Sequence, residues 1–443
     1  MKIEIPDNVA KIINILESEG FEAYAVGGCV RDTILGREPE DWDITTSAKP
    51  MEVKSLFRRT VDTGIQHGTV TVLLGGKGYE VTTYRVDGEY EDGRHPKQVE
   101  FTASLLEDLK RRDFTINAMA YNPKTGIVDE FDGIGDLDKG IIRCVGEPQE
   151  RFGEDALRML RAVRFSGQLG FEIEKRTFDA VKELAGNLRL ISAERIRTEL
   201  NKLIISPHPE YLRKAYDTGI TAVIMPEFDR MMETPQKNRY HNLNVGEHTL
   251  KMMSCIENTP VLRWTALFHD MGKPETMTED EKGIIHFYGH AAASRFISHN
   301  IMKRLKFDNN TVSRVEKLVE YHELRFEVTY ASVRRLMNKV GADLFPLLIN
   351  VFRADANAKT EYAVNKASPI IEKVKKYYSE ILENGQCVSI SQLEINGKIL
   401  INNGLRPGKE IGEALDKCLA WVMEHPEDNT QDRLLELLEL NSH

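Results

Sequence analysis

The chain has 443 residues, too many for one ordinary core, so two to four domains are expected. Hydrophobic residues are 41% and charged residues 29%, and the net charge of -10 at pH 7 excludes a protein that coats long nucleic acid non-specifically, while leaving room for a local basic surface that grips a compact RNA. No apolar run is long enough for a signal peptide or a membrane span, and Cys29, Cys144, Cys255, Cys387 and Cys418 form no CxxC pair, so a cytoplasmic protein without membrane contact is expected.

In chain order, NVAKIINILESEG has helical spacing and stops at Gly20. FEAYAV is a short strand ending at Gly27-Gly28. Residues 29–35 are a predicted helix ended by Gly36, and residues 42–45 are strand-like. TVTVLL and YEVTTYR are two β segments joined by Gly75-Gly76-Lys77-Gly78, a hairpin signal. VDGEYEDGRHPKQVEF is polar, aperiodic and loop-like. After Gly153 nearly every apolar segment has the period of a helix, beginning with EDALRMLRAVRFSGQLG. PEFDRMMETPQKNRYH marks a second boundary, and helical patterns then run from His248 to about Lys359 and on through the tail. The expected fold is α+β, with a mixed or antiparallel sheet in the first part and helices after it. Four segments are expected: 1–150, 151–235, 236–365 and 366–443.

The first chemical signal is Asp41-Trp42-Asp43. On a strand, two carboxylates one residue apart share a face. They repel unless a cation neutralises them, and Mg²⁺ suits them because it prefers oxygen ligands and also binds substrate phosphates. Two such ions can activate an attacking hydroxyl and steady a departing pyrophosphate. Glu80, in the alternating strand GYEVTTYR, is a candidate third carboxylate. Gly27-Gly28, between a strand and a helix, lets a triphosphate approach the backbone near a helix N-terminus. Lys110-Arg111-Arg112 and Arg158, Arg161 and Arg164 are candidate basic surface for RNA.

VGGCVRDTILGREPEDWDITTSA resembles the signature of the class II tRNA nucleotidyltransferases, the CCA-adding enzymes and bacterial poly(A) polymerases of the polymerase β-like superfamily. The likeness continues through GTVTVLL, YEVTTYR, LKRRDFTINAMAYNP, DEFDGIGDLDKGIIRCVG, RFGEDALRMLRAVRFSGQLGF and SAERIRTELNKL. It implies that Asp41 and Asp43 bind the catalytic metal, with Gly27, Gly28, Arg31 and Asp32 lining the phosphate side of a nucleotide pocket. Arg111, Arg112 and Asp113 match a motif that handles the nucleotide and its ribose, and Asn117 would help hold that pocket. Residues 154–158 are a predicted helix with Asp155 and Arg158 as i,i+3 neighbours. The carboxylate accepts from the exocyclic amine of cytosine or adenine and the guanidinium donates to the same base edge, so the pair excludes G and U. In the family this pair selects CTP and then ATP. Residues 87–97, with Glu89, Asp92, Gly93 and Arg94, match the family's loop for switching from CTP to ATP.

A second signal is the dispersed set His248, His269-Asp270, His290, His322 and Asp355, set among helical segments. Mixed imidazole and carboxylate ligands suit Mn²⁺, Fe, Co²⁺, Ni²⁺ or Zn²⁺, which can activate water against phosphorus. The segments EHTLKMM, RWTALFHDMGKPETM, FYGHAAASRF, EYHELR and RADA resemble the HD phosphohydrolase superfamily. By that likeness His248, His269, Asp270 and Asp355 are the defining ligands, His290 and His322 the extra pair of binuclear members, and Lys273 a phosphate contact. Phosphatase or 2',3'-cyclic phosphodiesterase activity is implied.

The tail, with Arg406 and Lys409 at a predicted helix start, would recognise the tRNA elbow by shape. The favoured expectation is CCA addition to tRNA 3' ends from CTP and ATP with pyrophosphate release. A-only or poly(A)-type addition stays open, as does an RNA-end repair protein that only hydrolyses phosphoesters. Composition and motifs leave oligomeric state undetermined.

Overall fold

The computed structural model describes residues 2–87, 99–236 and 240–440. The loop reading over residues 88–98 therefore lies outside the described residues, while the ends of that segment, residues 86–87 and 99–101, pair as short antiparallel strands instead of loop. The chain divides into two compact units, Met1–Pro226 and Glu227–His443.

The first unit is built on a seven-stranded mixed sheet. Its strands are β1 (Ala23–Val26), β2 (Ile44–Thr46), β3 (Thr60–Gly64), β4 (Thr69–Leu74) and β5 (Lys77–Thr83), and then, past the small antiparallel pair β6 (Arg85–Asp87) and β7 (Val99–Phe101), β8 (Met119–Asn122) and β9 (Gly126–Asp129). The order across the sheet is β3-β4-β5-β2-β1-β8-β9. Only β2 and β5 run parallel; every other adjacent pair is antiparallel. Gly75 and Gly76, both at positive φ (60° and 79°), make the two-residue turn that pairs Leu74 with Lys77. Such turns match the right-handed twist of a hairpin and demand residues that tolerate positive φ. The first helix, Asp7–Ser18, ends before Gly20 at φ 87°, as its sequence predicts, and buries Val9, Ile12, Ile13 and Leu16 in the core. Ala162, Phe165 and Leu169 of the helix Leu157–Leu169 join the same core. A short parallel pair, β10 (Ile141–Ile142) with β11 (Glu172–Ile173), ties the chain on either side of the helix together.

The second unit is mostly helical. Helices Val245–Cys255, Pro260–Phe268, His290–Arg304, Asn309–Glu320 and Phe345–Asn357 surround a buried polar centre. The sequence predicts helices throughout this stretch, but Met277–Glu279 (β12) and Ile285–Phe287 (β13) form an antiparallel hairpin. Each strand has three residues, and those of β12 are exposed, so no apolar alternation announced it. A separate apolar cluster, including Leu400, Cys418, Val422 and Leu434, closes the tail. Among the described residues no helix is long and apolar enough to cross a membrane.

Two candidate centres

In the first unit, Asp41, Trp42 and Asp43 precede β2 rather than lying on it as predicted. The main chain of Asp43 still continues the ladder, its carbonyl accepting from Val26 N at 3.0 Å. The side-chain alternation of a strand therefore extends to this segment. The parallel register of Ile44 with Val81 sets Asp43 beside Glu80. Asp43 has an exposed side, yet its carboxyl group is pushed above the ordinary carboxylate range. Local desolvation is the first cause, the charge of Glu80 the second and Asp41 a further one, with Arg112 opposing them. Two carboxylates that press on a third in this way form a site suited to a divalent cation with oxygen ligands.

Behind the carboxylates runs a buried chain of polar contacts. Arg31 donates to Asn117 Oδ1 at 2.7 Å and grips Asp32 through Nε and Nη2, both at 2.9 Å. Asn117 Nδ2 donates to Asp113 Oδ1 at 3.1 Å, and Arg161 Nε to Asp113 Oδ2 at 2.8 Å. Burial opposes ionisation of Asp113, but the Arg161 charge and the Asn117 and Arg161 hydrogen bonds outweigh it and hold the carboxyl well below its usual range. Arg164 pairs with Glu199 at 2.9 Å and lies 3.8 Å from the centroid of the Phe165 ring. Burial, with the neighbouring Arg161 charge, lowers its pKa to about 10.

Gly27 meets a further constraint beside the phosphate approach expected of it. Its φ is 81°, and a Cβ there would sit 2.9 Å from Arg112 Nη1. The missing side chain admits Arg112 to the carboxylate edge. At Gly28 the nearest atom, Arg31 Nη2, would be 3.7 Å away, an ordinary contact.

The segment 154–158 is not one helix. A helix Pro148–Glu154 ends at Asp155, whose φ of -142° and ψ of 103° are extended, and the next helix starts at Leu157. The Asp155 carboxylate accepts from Leu157 N at 3.0 Å and from Arg195 Nη2 at 2.7 Å. It thus caps the second helix, a role Asp favours over helix interior. Arg158 donates to Glu154 Oε2 at 2.6 Å, Arg151 O at 3.2 Å and Arg111 O at 3.0 Å. The two residues are brought to one corner by a cap, not by helical periodicity.

Two residues here escaped the sequence reading. Asp108 is fully buried and binds Arg111 through Nε and Nη2 at 3.0 and 2.8 Å. Its spacing of three and four from Arg111 and Arg112 was the available signal. Arg195, the partner of Asp155, lies 40 residues further along the chain and had none.

In the second unit all six metal-ready residues come together: the four histidines lie within 3.7 Å of Asp270, and Asp355 touches His248. His269 Nε2 lies 3.0 Å from Asp270 Oδ2 and 3.3 Å from His248 Nε2. His248 Nε2 is 3.1 Å from Asp355 Oδ1. On the other side, His290 Nε2 is 3.2 Å from Asp270 Oδ1 and 3.3 Å from His322 Nε2. Two ligand triads result, His248/His269/Asp270 and Asp270/His290/His322, sharing Asp270 and buried throughout.

The main chain fixes which way each ring faces. Nδ1 of His269, His290 and His322 lies 2.7, 2.8 and 2.7 Å from the carbonyls of Ala266, Phe287 and Val319. A carbonyl only accepts, so each Nδ1 carries a hydrogen and each Nε2 is the ring atom turned toward the other donors. Nε2 atoms set 3.3 Å apart beside Asp270 converge as ligand atoms do around a cation. The donor set fits a divalent transition metal.

Lys273 Nζ, 2.7 Å from Asp270 Oδ2, and Lys359 Nζ, 2.5 Å from Asp355 Oδ2, flank the centre. Burial works against both carboxylates; for Asp270 the His269 and Lys273 charges, and for Asp355 the Lys359 charge and the His248 contacts, hold them far below their usual range. Gly272 carries the approach of the His290 helix, since a Cβ there would lie 2.5 Å from Ser294 N. His241, stacked edge-on to His248 at 5.1 Å, is pushed down to about 2, first by burial and then by Lys273. Lys359, Gly272 and His241 were not predicted. Only Lys359, four residues after Asp355, had a spacing that could have revealed it.

The first unit matches the Poly A polymerase head domain family over residues 23–143, and residues 170–232 match the family described as "Probable RNA and SrmB-binding site of polymerase A". Residues 275–438 match the family of tRNA nucleotidyltransferase domain 2. A CCA-adding enzyme of Lactobacillus helveticus (strain DPC 4571) is 36% identical over 450 residues, spanning 98% of this chain and 98% of that one. The chain belongs to the CCA-adding enzyme family. A second CCA-adding enzyme, from Lactiplantibacillus plantarum, is 37% identical over 433 residues, covering 96% of this chain and 94% of its own. The crystal structure of the Bacillus stearothermophilus CCA-adding enzyme in complex with CTP superposes with a TM-score of 0.74 at 30% identity, over 97% of this chain and 96% of that chain. The likeness to the family thus extends through both units. The second unit of this family member also carries the paired His/Asp triads.

Proposed function

We propose that this protein adds CCA to the 3' end of tRNA, using CTP and ATP and releasing pyrophosphate. The observation that carries this reading is the carboxylate edge of Asp41, Asp43 and Glu80, backed by the Arg31–Asn117–Asp113–Arg161 chain, in a protein related over its whole length to CCA-adding enzymes. Asp41 and Asp43, with Glu80 beside them, would hold Mg²⁺, which when bound activates the tRNA 3' hydroxyl and steadies pyrophosphate. Arg31 and Arg112, kept on the site by Asn117, Asp32 and Asp108, counter the negative charge of the triphosphate. Gly28 opens the phosphate side. Asp155 and Arg158, held at one corner by Arg195 and Glu154, present an acceptor and donors to the edge of cytosine or adenine. Arg161 and Arg164 fix the floor of that pocket through Asp113 and Glu199. We assign residues 1–150 to the head, 151–235 to the neck and body, 236–365 to the His/Asp segment and 366–443 to a tail that meets the tRNA elbow. The protein would work in the cytoplasm.

The test is direct. With Mg²⁺, CTP and ATP, tRNAs that lack all three terminal nucleotides should gain CCA. Addition of A alone, and only to tRNA already ending in CC, would establish the A-adding alternative instead.

A second activity rests on its own observation. Asp270, His290 and His322 of one triad, with Asp355, open onto a cavity of about 1010 Å³ also lined by Lys273, Lys359, Lys366, Arg325 and Tyr288. Cations beside a transition-metal centre suit a phosphoester, and the metal when bound supplies activated water. We read this centre as a phosphatase or 2',3'-cyclic phosphodiesterase acting on RNA ends. Hydrolysis of a 2',3'-cyclic nucleotide with Ni²⁺ or Mn²⁺ is expected. No turnover of any phosphoester across the divalent metals would reduce the centre to a structural metal site.

A further inference from the structure

We propose that Asp108 is a positioning residue for nucleotide binding, aiming Arg111 and Arg112 and locking them to the strand that directly follows the catalytic carboxylates. The proposal rests on the nucleotidyltransferase reading of the first unit.

Asp108 lies in the short helix Leu105–Lys110 and has no exposed surface. A buried carboxylate is costly unless its lone pairs are filled, and this one has partners from three segments. Oδ1 accepts Arg111 Nε at 3.0 Å and Nη2 at 2.8 Å, a fork that fixes the guanidinium plane. Oδ2 lies 3.5 Å from Arg112 Nη2 and accepts Thr45 Oγ1 at 3.1 Å. The main-chain N of Arg85, where β6 begins, reaches Oδ1 at 3.4 Å.

Each partner leads to the site. Thr45 stands two residues after Asp43 on β2. Arg112 rests in the space left by the absent Gly27 side chain and acts electrostatically on Asp43. The Arg111 carbonyl accepts from Arg158 Nη2 at 3.0 Å. One carboxylate thereby fixes two arginines relative to the metal-binding edge and to the base-selecting corner. Arginine has several rotatable bonds, so without that anchor both guanidinium groups would lose their common orientation. The expected consequence falls on nucleotide binding more than on turnover.

The experiment measures transfer kinetics of full-length Asp108→Asn on tRNA ending in CC with ATP and on tRNA ending before the CCA with CTP. Melting temperature and direct CTP binding by calorimetry are read alongside. The conservative change keeps the shape and removes the charge. KM for both nucleotides should rise about tenfold, with kcat falling less and CTP affinity dropping in parallel. Combined with Arg111→Gln, the loss should be less than the product of the single losses, because the two residues act as one unit. If Asp108→Asn does not fold, Asp108→Glu keeps the charge and displaces it by one methylene, and the same KM rise is expected.

A folded variant with unchanged KM and CTP affinity would overturn the proposal. So would a fall in kcat alone, or losses that simply multiply with Arg111→Gln. Wild-type protein that transfers no nucleotide sinks the broader reading of the first unit, whereas an active wild type with an unmoved variant sinks this one alone.

Discussion

The two centres solve the problem of buried charge in opposite ways. In the first unit the buried ions pair with one another: Asp108 with Arg111, Asp113 with Arg161, and Glu199 with Arg164. The carboxylates of the candidate metal edge, Asp41, Asp43 and Glu80, stand exposed. In the second unit the imidazoles face one another across 3.3 Å, and buried carboxylates lean on two lysines. The first scaffold balances its own buried charges and leaves a rim of carboxylates suited to a divalent cation. The second gathers a buried donor set suited to a divalent transition metal. Preorganisation by fixed charges belongs to the former, and preorganisation by coordination to the latter.

The sharpest break in this comparison is to silence one centre and read the other. Asp41→Ala or Asp43→Ala should lower nucleotide transfer at least about a thousandfold, roughly 4 kcal/mol of transition-state stabilisation. Hydrolysis at the His/Asp centre should stay within twofold of wild type. Parallel loss of both activities in a folded variant would show that the centres do not work separately.

Next in size is the self-pairing of the first scaffold. Asp113→Ala leaves Arg161 without its main partner. The cost should be about 3 kcal/mol in urea unfolding, near the low end for a broken buried pair because Arg161 keeps 32% of its side chain exposed. The sign with pH follows from the depressed Asp113 pKa. Its contribution is fully present above the ordinary aspartate value of about 4 and fades as pH falls toward the folded-state value. Wild type should therefore lose stability below about pH 4 more steeply than Asp113→Ala. Equal acid slopes would mean that this pair is not a source of the stability.

Metal itself tests the donor set of the second unit. Adding Ni²⁺ or Mn²⁺ should raise the melting temperature of metal-stripped wild type and not that of His269→Ala. Hydrolysis by that variant should fall about a hundredfold, with nucleotide transfer unchanged. A metal-induced stabilisation that survives His269→Ala would move the ion away from these triads.

The sequence was legible where chemistry and local spacing coincide. Asp41 and Asp43, and the paired His269-Asp270, stand out because adjacent like charges and imidazoles need a reason to be together. The hairpin glycines Gly75 and Gly76 announced their turn because few residues accept positive φ. What stayed hidden depends on long-range approach. Helical periodicity across residues 154–158 concealed the break at Asp155, since a capping carboxylate and an interior one look alike until the partner Arg195 is in place. Likewise nothing local says that Gly272 is a glycine because another helix passes within 2.5 Å of its missing Cβ. The four-residue step from Asp355 to Lys359 is local and carries its pairing in the sequence itself.

The smallest expected effect concerns Gly27, and it separates two reasons for a glycine. If the residue serves only to let a triphosphate near the backbone, Gly27→Ala should weaken nucleotide binding and leave the free protein as stable as before. The geometry argues otherwise. At φ 81° an alanine is strained even in open space, and here its Cβ would also stand 2.9 Å from Arg112 Nη1. The guanidinium is the end of a flexible chain and can move, so the clash need not unfold the sheet. Its movement would carry Arg112 away from Asp43. Stability should therefore fall by about 1–3 kcal/mol without any nucleotide present. Since Arg112 holds the Asp43 carboxyl down, its withdrawal should raise that already elevated pKa further. A protonated carboxyl is a poor ligand for a divalent cation, so the acid limb of the transfer rate should shift to higher pH in Gly27→Ala. A stable variant with an unshifted pH profile would return Gly27 to the simpler role of making space for phosphate.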